Sequence, residues 1–143
     1  MTLLSPNFTL DEFTNSQTAA RLGIRNDPPA DVYPTLKKTA NGLELVRMLL
    51  GGKPILISSG YRSPALNSAV HGQSSSQHLA GEAVDFTCPQ YGTPEQIVAA
   101  IAKSTIPFDQ VILEFSRWVH ISFSSRNRRQ ALVIDDLGTR AYK

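Results

Sequence analysis

Three residues of the chain have the chemistry to hold a divalent metal together: His78, Asp85 and His120. The segment Ser76-Gln77-His78-Leu79-Ala80-Gly81-Glu82-Ala83-Val84-Asp85 sets an imidazole and a carboxylate seven residues apart, with Gly81 in the turn between them. Read as a strand, Ala83-Val84-Asp85-Phe86 points Val84 and Phe86 one way and Asp85 the other. Trp118-Val119-His120-Ile121-Ser122 alternates in the same manner, with Val119 and Ile121 inward and His120 opposite, beside Trp118 and Ser122. If the two strands lie near each other in one sheet, Asp85 and His120 rise from the same face. His78 can then fold over from its loop. Two histidines and a carboxylate, with water in the fourth position, make a catalytic zinc centre; a structural centre is normally closed by four protein ligands. A centre of this kind acidifies its water and polarises a carbonyl. Any one of these residues alone reads as ordinary surface polarity. The spaced His-to-Asp pair and the alternating Trp-x-His strand, taken together, favour the metal.

The elements that must carry these groups are short and well punctuated. Thr9-Leu10-Asp11-Glu12 has the capping-box pattern, predicting a helix from there to near Gly23. Asp27-Pro28-Pro29 marks a second helix start. Its apolar positions Val32, Leu36, Ala40, Leu43, Val46 and Leu50 fall at three- and four-residue steps, and Gly51-Gly52 ends it. This is the expected core helix. Residues 54–58 read as a buried strand leading into Ser59-Gly60-Tyr61-Arg62, residues 63–70 as a short helix and residues 72–77 as a polar loop. Thr93-Pro94-Glu95-Gln96 starts a helix that runs to about Ser104. Residues 111–115, 118–123 and 131–134 are further strands, the first two close enough for a hairpin. Strands and helices do not alternate regularly. The expected fold is α+β: one domain over residues 1–143, with helices packed on one side of a mainly antiparallel sheet.

Composition narrows the function classes. A chain of 143 residues with 41% apolar and 18% charged residues buries one core and is neither disordered nor fibrous. No apolar run approaches the ~20 residues of a membrane-spanning helix, so no membrane partner is expected. The N-terminus has no basic start and no long apolar stretch, and so does not read as a secretory signal. The single cysteine, Cys88, excludes a disulfide framework and reads as filler near a strand end. The net charge of +2 suits an anionic partner without naming one. Arg126-Asn127-Arg128-Arg129 is the one basic cluster. No aromatic residues interleave it as a stacking surface would require, so it reads as a solvated turn and no nucleic-acid partner is expected. Oligomeric state defaults to monomer.

The pattern Ser76-x-His78-x-x-Gly81-x-Ala83-x-Asp85 resembles the signature of the zinc D-Ala-D-Ala carboxypeptidases. That family includes vancomycin-resistance D,D-dipeptidases and phage endolysins and shares its fold with the hedgehog signalling domain. Ser59-Gly60-Tyr61-Arg62 resembles the family's segment with a substrate-binding arginine, and Trp118-Val119-His120 its segment with the last zinc ligand. Asn67 and Gly72 also fall at family positions, and residues 8–23 look like small phage-type members. The resemblance implies one catalytic Zn2+ held by His78, Asp85 and His120, and Arg62 binding a carboxylate of a peptidoglycan stem peptide. His and carboxylate ligands alone admit several metals; the preference for zinc comes from the resemblance. It implies hydrolysis of a stem-peptide bond, as an endopeptidase or a D,D-carboxypeptidase of endolysin type. Such a protein without a signal peptide would be cytoplasmic and reach the wall after release.

Ser76 can orient His78 or the substrate by a hydrogen bond, while Tyr61 and Trp118 can wall the cleft. His71 reads as an exposed loop residue or a contact at the substrate's edge. Several family members carry an acid three positions before the last histidine, where this chain has Arg117. The nearest acid is Glu114. With a three-residue hairpin loop it would lie opposite His120 on the same face, and it is the expected general base. Asp109 is the substitute. The displaced acid also motivates an alternative, a catalytically inactive zinc-containing wall-binding or virion-associated module.

Overall fold

A computed structural model describes residues 2–143. The chain opens with a small hairpin, β1 (Leu3–Ser5) and β2 (Phe8–Thr9). It then forms α1 (Leu10–Thr14) and α2 (Gln17–Leu22) where the sequence predicts one helix. The Thr9–Glu12 capping box starts α1 as expected. The break follows because Asn15 and Ser16 are extended and the Ser16 hydroxyl accepts from Ala19 N, capping a new helix. The core helix α3 (Tyr33–Leu49) begins later than predicted. Asp27 and Pro28 each precede a proline, which disfavours helical backbone there. The chain enters α3 through a single 3-10 turn, Ala30–Val32.

After α3 come β3 (Leu56–Ser59), α4 (Pro64–Ala69), β4 (Ala83–Thr87) and α5 (Pro94–Lys103). The chain ends with β5 (Gln110–Glu114), β6 (Trp118–Ser122), β7 (Gln130–Asp135) and β8 (Gly138–Ala141). Six strands form one sheet in the order β3-β4-β6-β5-β7-β8. All neighbours are antiparallel except β5 and β7, which are parallel. This is a small α+β domain with a mainly antiparallel sheet, as the sequence predicts.

The periodicities explain how the layers meet. Leu36, Ala40, Leu43 and Val46 of α3 have no exposed surface, and neither do Ile97, Val98 and Ile101 of α5. They join Val84, Phe86, Val111, Leu113, Val119 and Ile121 of the sheet in one apolar cluster. Each such side chain contributes about 1.5–3 kcal/mol by leaving water. Because strand residues alternate, burying these on the helix side forces Asp85, Ile112, Glu114, Trp118 and His120 to the other face. Among the described residues, no helix is long and apolar enough to cross a membrane.

Two elements escape sequence periodicity. The β1–β2 hairpin is too short to show any, and Glu44 of α3 holds it by accepting from Ser5 Oγ at 2.6 Å and Asn7 N at 2.7 Å. β8 is exposed along its length and has no apolar alternation; Arg140 ties it to Asp135 at 2.7 Å.

Candidate metal centre

β4 and β6 pair so that Asp85 lies directly opposite His120. His120 Nδ1 stands 2.9 Å from Asp85 Oδ1, and His78 Nε2 stands 3.3 Å from the same oxygen. His78 comes from the loop before β4. Gly81 turns that loop with φ +78°, a conformation suited to glycine, and its carbonyl accepts from Thr39 Oγ1 of α3 at 2.7 Å. The His78 ring is oriented by its other nitrogen, which lies 2.7 Å from the Gly60 carbonyl. A carbonyl only accepts, so Nδ1 carries the proton and Nε2 presents its lone pair. Gly60 is required where it stands, since a Cβ there would lie 2.5 Å from the Phe13 carbonyl oxygen.

A lone pair facing a carboxylate oxygen calls for a cation between them, either a proton or a metal. The ligand atoms of His78, Asp85 and His120 all lie within 4.8 Å of one another. Ligands of a tetrahedral zinc, with bonds of ~2.0–2.1 Å, are ~3.3 Å apart. The donor set therefore fits such an ion, and it is the one His/Cys/Asp/Glu group among the described residues that does. Burial alone would raise the Asp85 carboxyl. The two imidazoles that converge on it outweigh burial and hold the group well below the ordinary carboxylate range.

The three residues form the floor of a cleft of about 500 Å³, whose lining includes Arg62, Ser76, Glu114 and Trp118. Arg62 Nε donates to Ser59 Oγ and Nη1 to Asn67 Oδ1, each at 3.2 Å, and Nη2 lies 3.6 Å from Asp85 Oδ2. The β5–β6 loop is residues 115–117, with Phe115 and Ser116 in the left-handed region. This three-residue loop keeps Glu114 on the His120 face, but the register corrects its position. Glu114 pairs with Trp118, and Ile112 is the residue opposite His120. Glu114 Oε1 reaches His120 Nδ1 diagonally at 3.6 Å. Burial, and next the charge of Asp85, push the Glu114 carboxyl upward.

Residues 6–122 match the Peptidase M15 family model, well over half of the chain. The chain belongs to the peptidase M15 family. It is also 40% identical over 50 residues to the zinc D-Ala-D-Ala carboxypeptidase of Streptomyces albus G. That match takes in 35% of this chain and 20% of the relative, so it spans about a fifth of the relative's length.

Within this M15 domain the remaining sequence-predicted residues fall in different places. Ser76 Oγ accepts from the His78 backbone N–H at 3.2 Å, so it holds the loop rather than the ring. Tyr61 does not line the metal cleft: it is packed in the core with 4% exposure, and its backbone N–H donates to the Phe13 carbonyl at 2.7 Å. Trp118 lines the cleft, and its indole Nε1 is buried without a hydrogen bond. His71 lies at the cleft's edge with φ +59°. Cys88 is buried, which raises its thiol.

Asp109 has a role that sequence reasoning did not find. The β6–β7 connection must cross the start of β5 to reach its far side, and Asp109 sits under that crossing with no exposed surface. Its carboxylate accepts from Arg128 Nε at 2.8 Å, Arg128 Nη2 at 2.9 Å and Gln77 Nε2 at 2.9 Å. Gln77 precedes His78, so the clasp also steadies the metal loop. The Arg128 hydrogen bonds hold the Asp109 carboxyl well below its ordinary range. Asp109→Asn is expected to cost about 2–3 kcal/mol at pH 7. The cost is below the about 3–5 of a fully buried pair because Arg128 stays partly in water. A depressed native pKa stabilises above the unfolded value of about 4, and that contribution is lost as pH falls toward the native one. Urea unfolding at pH 7 and pH 3 should show the gap narrowing at pH 3. An equal gap at both would contradict this account.

Proposed function

We propose that this M15 chain is a zinc-dependent peptidase that hydrolyses a peptide bond in peptidoglycan stem peptides. The observation that carries the reading is the meeting of the His78 lone pair, Asp85 and His120 at the floor of a cleft that also holds a guanidinium and a free acid. His78, Asp85 and His120 would hold one zinc ion. The ion, when bound, supplies an acidified water and polarises the scissile carbonyl.

The chain's own residues supply the rest. Arg62 is fixed by Ser59 and Asn67, and its guanidinium suits a substrate carboxylate. Glu114 Oε1 takes a proton from the attacking water and returns it to the leaving amine nitrogen. The match to the Streptomyces albus G carboxypeptidase, whose name carries both zinc and D-Ala-D-Ala, supports this metal and this substrate class.

The test is digestion of purified peptidoglycan with and without a chelator, with mass spectrometry of the fragments. The expected outcome is release that stops with chelator and returns with zinc. New ends inside the stem peptide would mark an endopeptidase, and loss of a terminal residue a carboxypeptidase. Zinc binding with no release from several wall chemistries would overturn the enzyme reading in favour of a wall-binding module.

A further inference from the structure

The fold divides the basic run that the sequence presents as one cluster. Arg129 turns away: its guanidinium lies 4.5 Å over the Phe108 ring and donates to the Ile106 and Ser104 carbonyls. Arg126 and Arg128 instead line the same cleft as the metal centre.

Strand register says where in the cleft they stand. Gln110, Ser122 and Ala83 form one row across β5, β6 and β4; Ile112, His120 and Asp85 form another, two residues along. Glu114 and Trp118 form the next. Asp109, which anchors Arg128, immediately precedes the first row. The guanidinium pair and Glu114 therefore lie on opposite sides of the metal row, while Arg62 flanks it from the β3 side. Rows two residues apart are ~7 Å apart.

At this end the cleft lining carries two guanidinium groups and no carboxylate. Asp109 and Glu82, which share the Gln77 amide at 2.9 and 3.4 Å, stand behind the lining and balance the two charges. Arg128 spends its Nε–Nη2 edge on Asp109, which fixes its plane. The Arg126 side chain is 57% exposed, and its Nη2 lies 3.3 Å from the shared carboxylate. One guanidinium is thus preorganised, and its more exposed neighbour turns donors toward the cleft.

We propose that Arg126 and Arg128 form a second anion subsite that selects acidic peptides, those with a free carboxylate besides the one bound by Arg62. The proposal rests on the reading of the chain as a peptidase and deepens it by naming what the substrate must carry. With rows ~7 Å apart and ~3.5 Å per extended residue, the second carboxylate sits about two residues from the scissile bond.

The test uses two synthetic stem-type peptides, identical except that this carboxylate is free in one and amidated in the other. Calorimetry in the presence of chelator measures their binding without turnover. The wild-type protein is expected to bind the free acid ~tenfold more tightly, as one charge-assisted contact allows. Arg126→Gln should bring the two affinities closer together, and Arg126→Glu should reverse the preference. Arg126 is more than half exposed, so Arg126→Gln should unfold near the wild-type urea midpoint; Arg126→Glu, which sets a second carboxylate beside Asp109, should unfold somewhat below it while staying folded under the binding conditions. Equal binding of the two peptides, no binding of either, or an unchanged preference in both variants would overturn the subsite. Hydrolysis is read separately with zinc restored. A binding preference without hydrolysis sustains the subsite and overturns the peptidase reading.

Discussion

Replacing His78 or Asp85 with alanine is expected to remove bound zinc and peptidoglycan hydrolysis together, with the fold retained. Asp85 is the point on which both imidazoles converge, at 2.9 and 3.3 Å, so its loss leaves His78 without an anionic partner and His120 with only Glu114, 3.6 Å away. His78 is the ligand whose orientation is set most firmly, by the Gly60 carbonyl behind it. Two ligands hold a catalytic ion far less well than three. The chemistry lost with it is several kcal/mol of charge stabilisation. At about 1.4 kcal/mol per factor of ten, that is roughly a thousandfold or more in rate. The cost in stability is smaller: His78→Ala leaves the Gly60 carbonyl without its donor, about 1–3 kcal/mol. Metal content, hydrolysis and urea unfolding measured on one preparation separate these effects. A variant that digests peptidoglycan at the wild-type rate would refute the metal assignment.

Glu114→Gln is expected to lower kcat by about 10²–10⁴, the usual contribution of a positioned proton carrier, while zinc content and KM stay near wild type. The substitution keeps shape and hydrogen bonding and removes only the capacity to take a proton. Glu114 stands on the same face as the metal row, 3.6 Å from His120. Asp109, the other acid considered, is committed to Arg128 and Gln77 and cannot shuttle protons. Arg117, three positions before His120, lies in the hairpin loop and as a guanidinium cannot take a proton. Steady-state kinetics on a defined stem peptide gives the split between kcat and KM. Unchanged kcat would show that Glu114 is not the base, and would revive the module reading if the wild type were also slow.

Helix starts with a capping-box pattern were readable residue by residue: Thr9 and Thr93 each cap a helix by accepting the backbone N–H three positions on. The apolar stripe of α3 was readable for the same reason, since a helix repeats often enough within one element to show its buried face. The break at Asn15-Ser16 was not, because a second N-cap inside a helical pattern competes locally and the sequence does not say which wins. The shared face of Asp85 and His120 was readable because alternation assigns each strand residue to one side of the sheet.

Alternation along a strand is a local property, so the chain itself determined which side chains turn away from the core and which residue types could bind a metal. Register between strands depends on loop length and on neighbours far apart in sequence. Only the tertiary structure decided that Glu114 faces Trp118 and not His120, and that Tyr61 packs in the core. Likewise, a β6–β7 crossing buries Asp109 beneath Arg128 and brings Arg126 to the cleft. Each of these outcomes joins residues that no short-range pattern connects. They are set by which contacts the packed sheet permits.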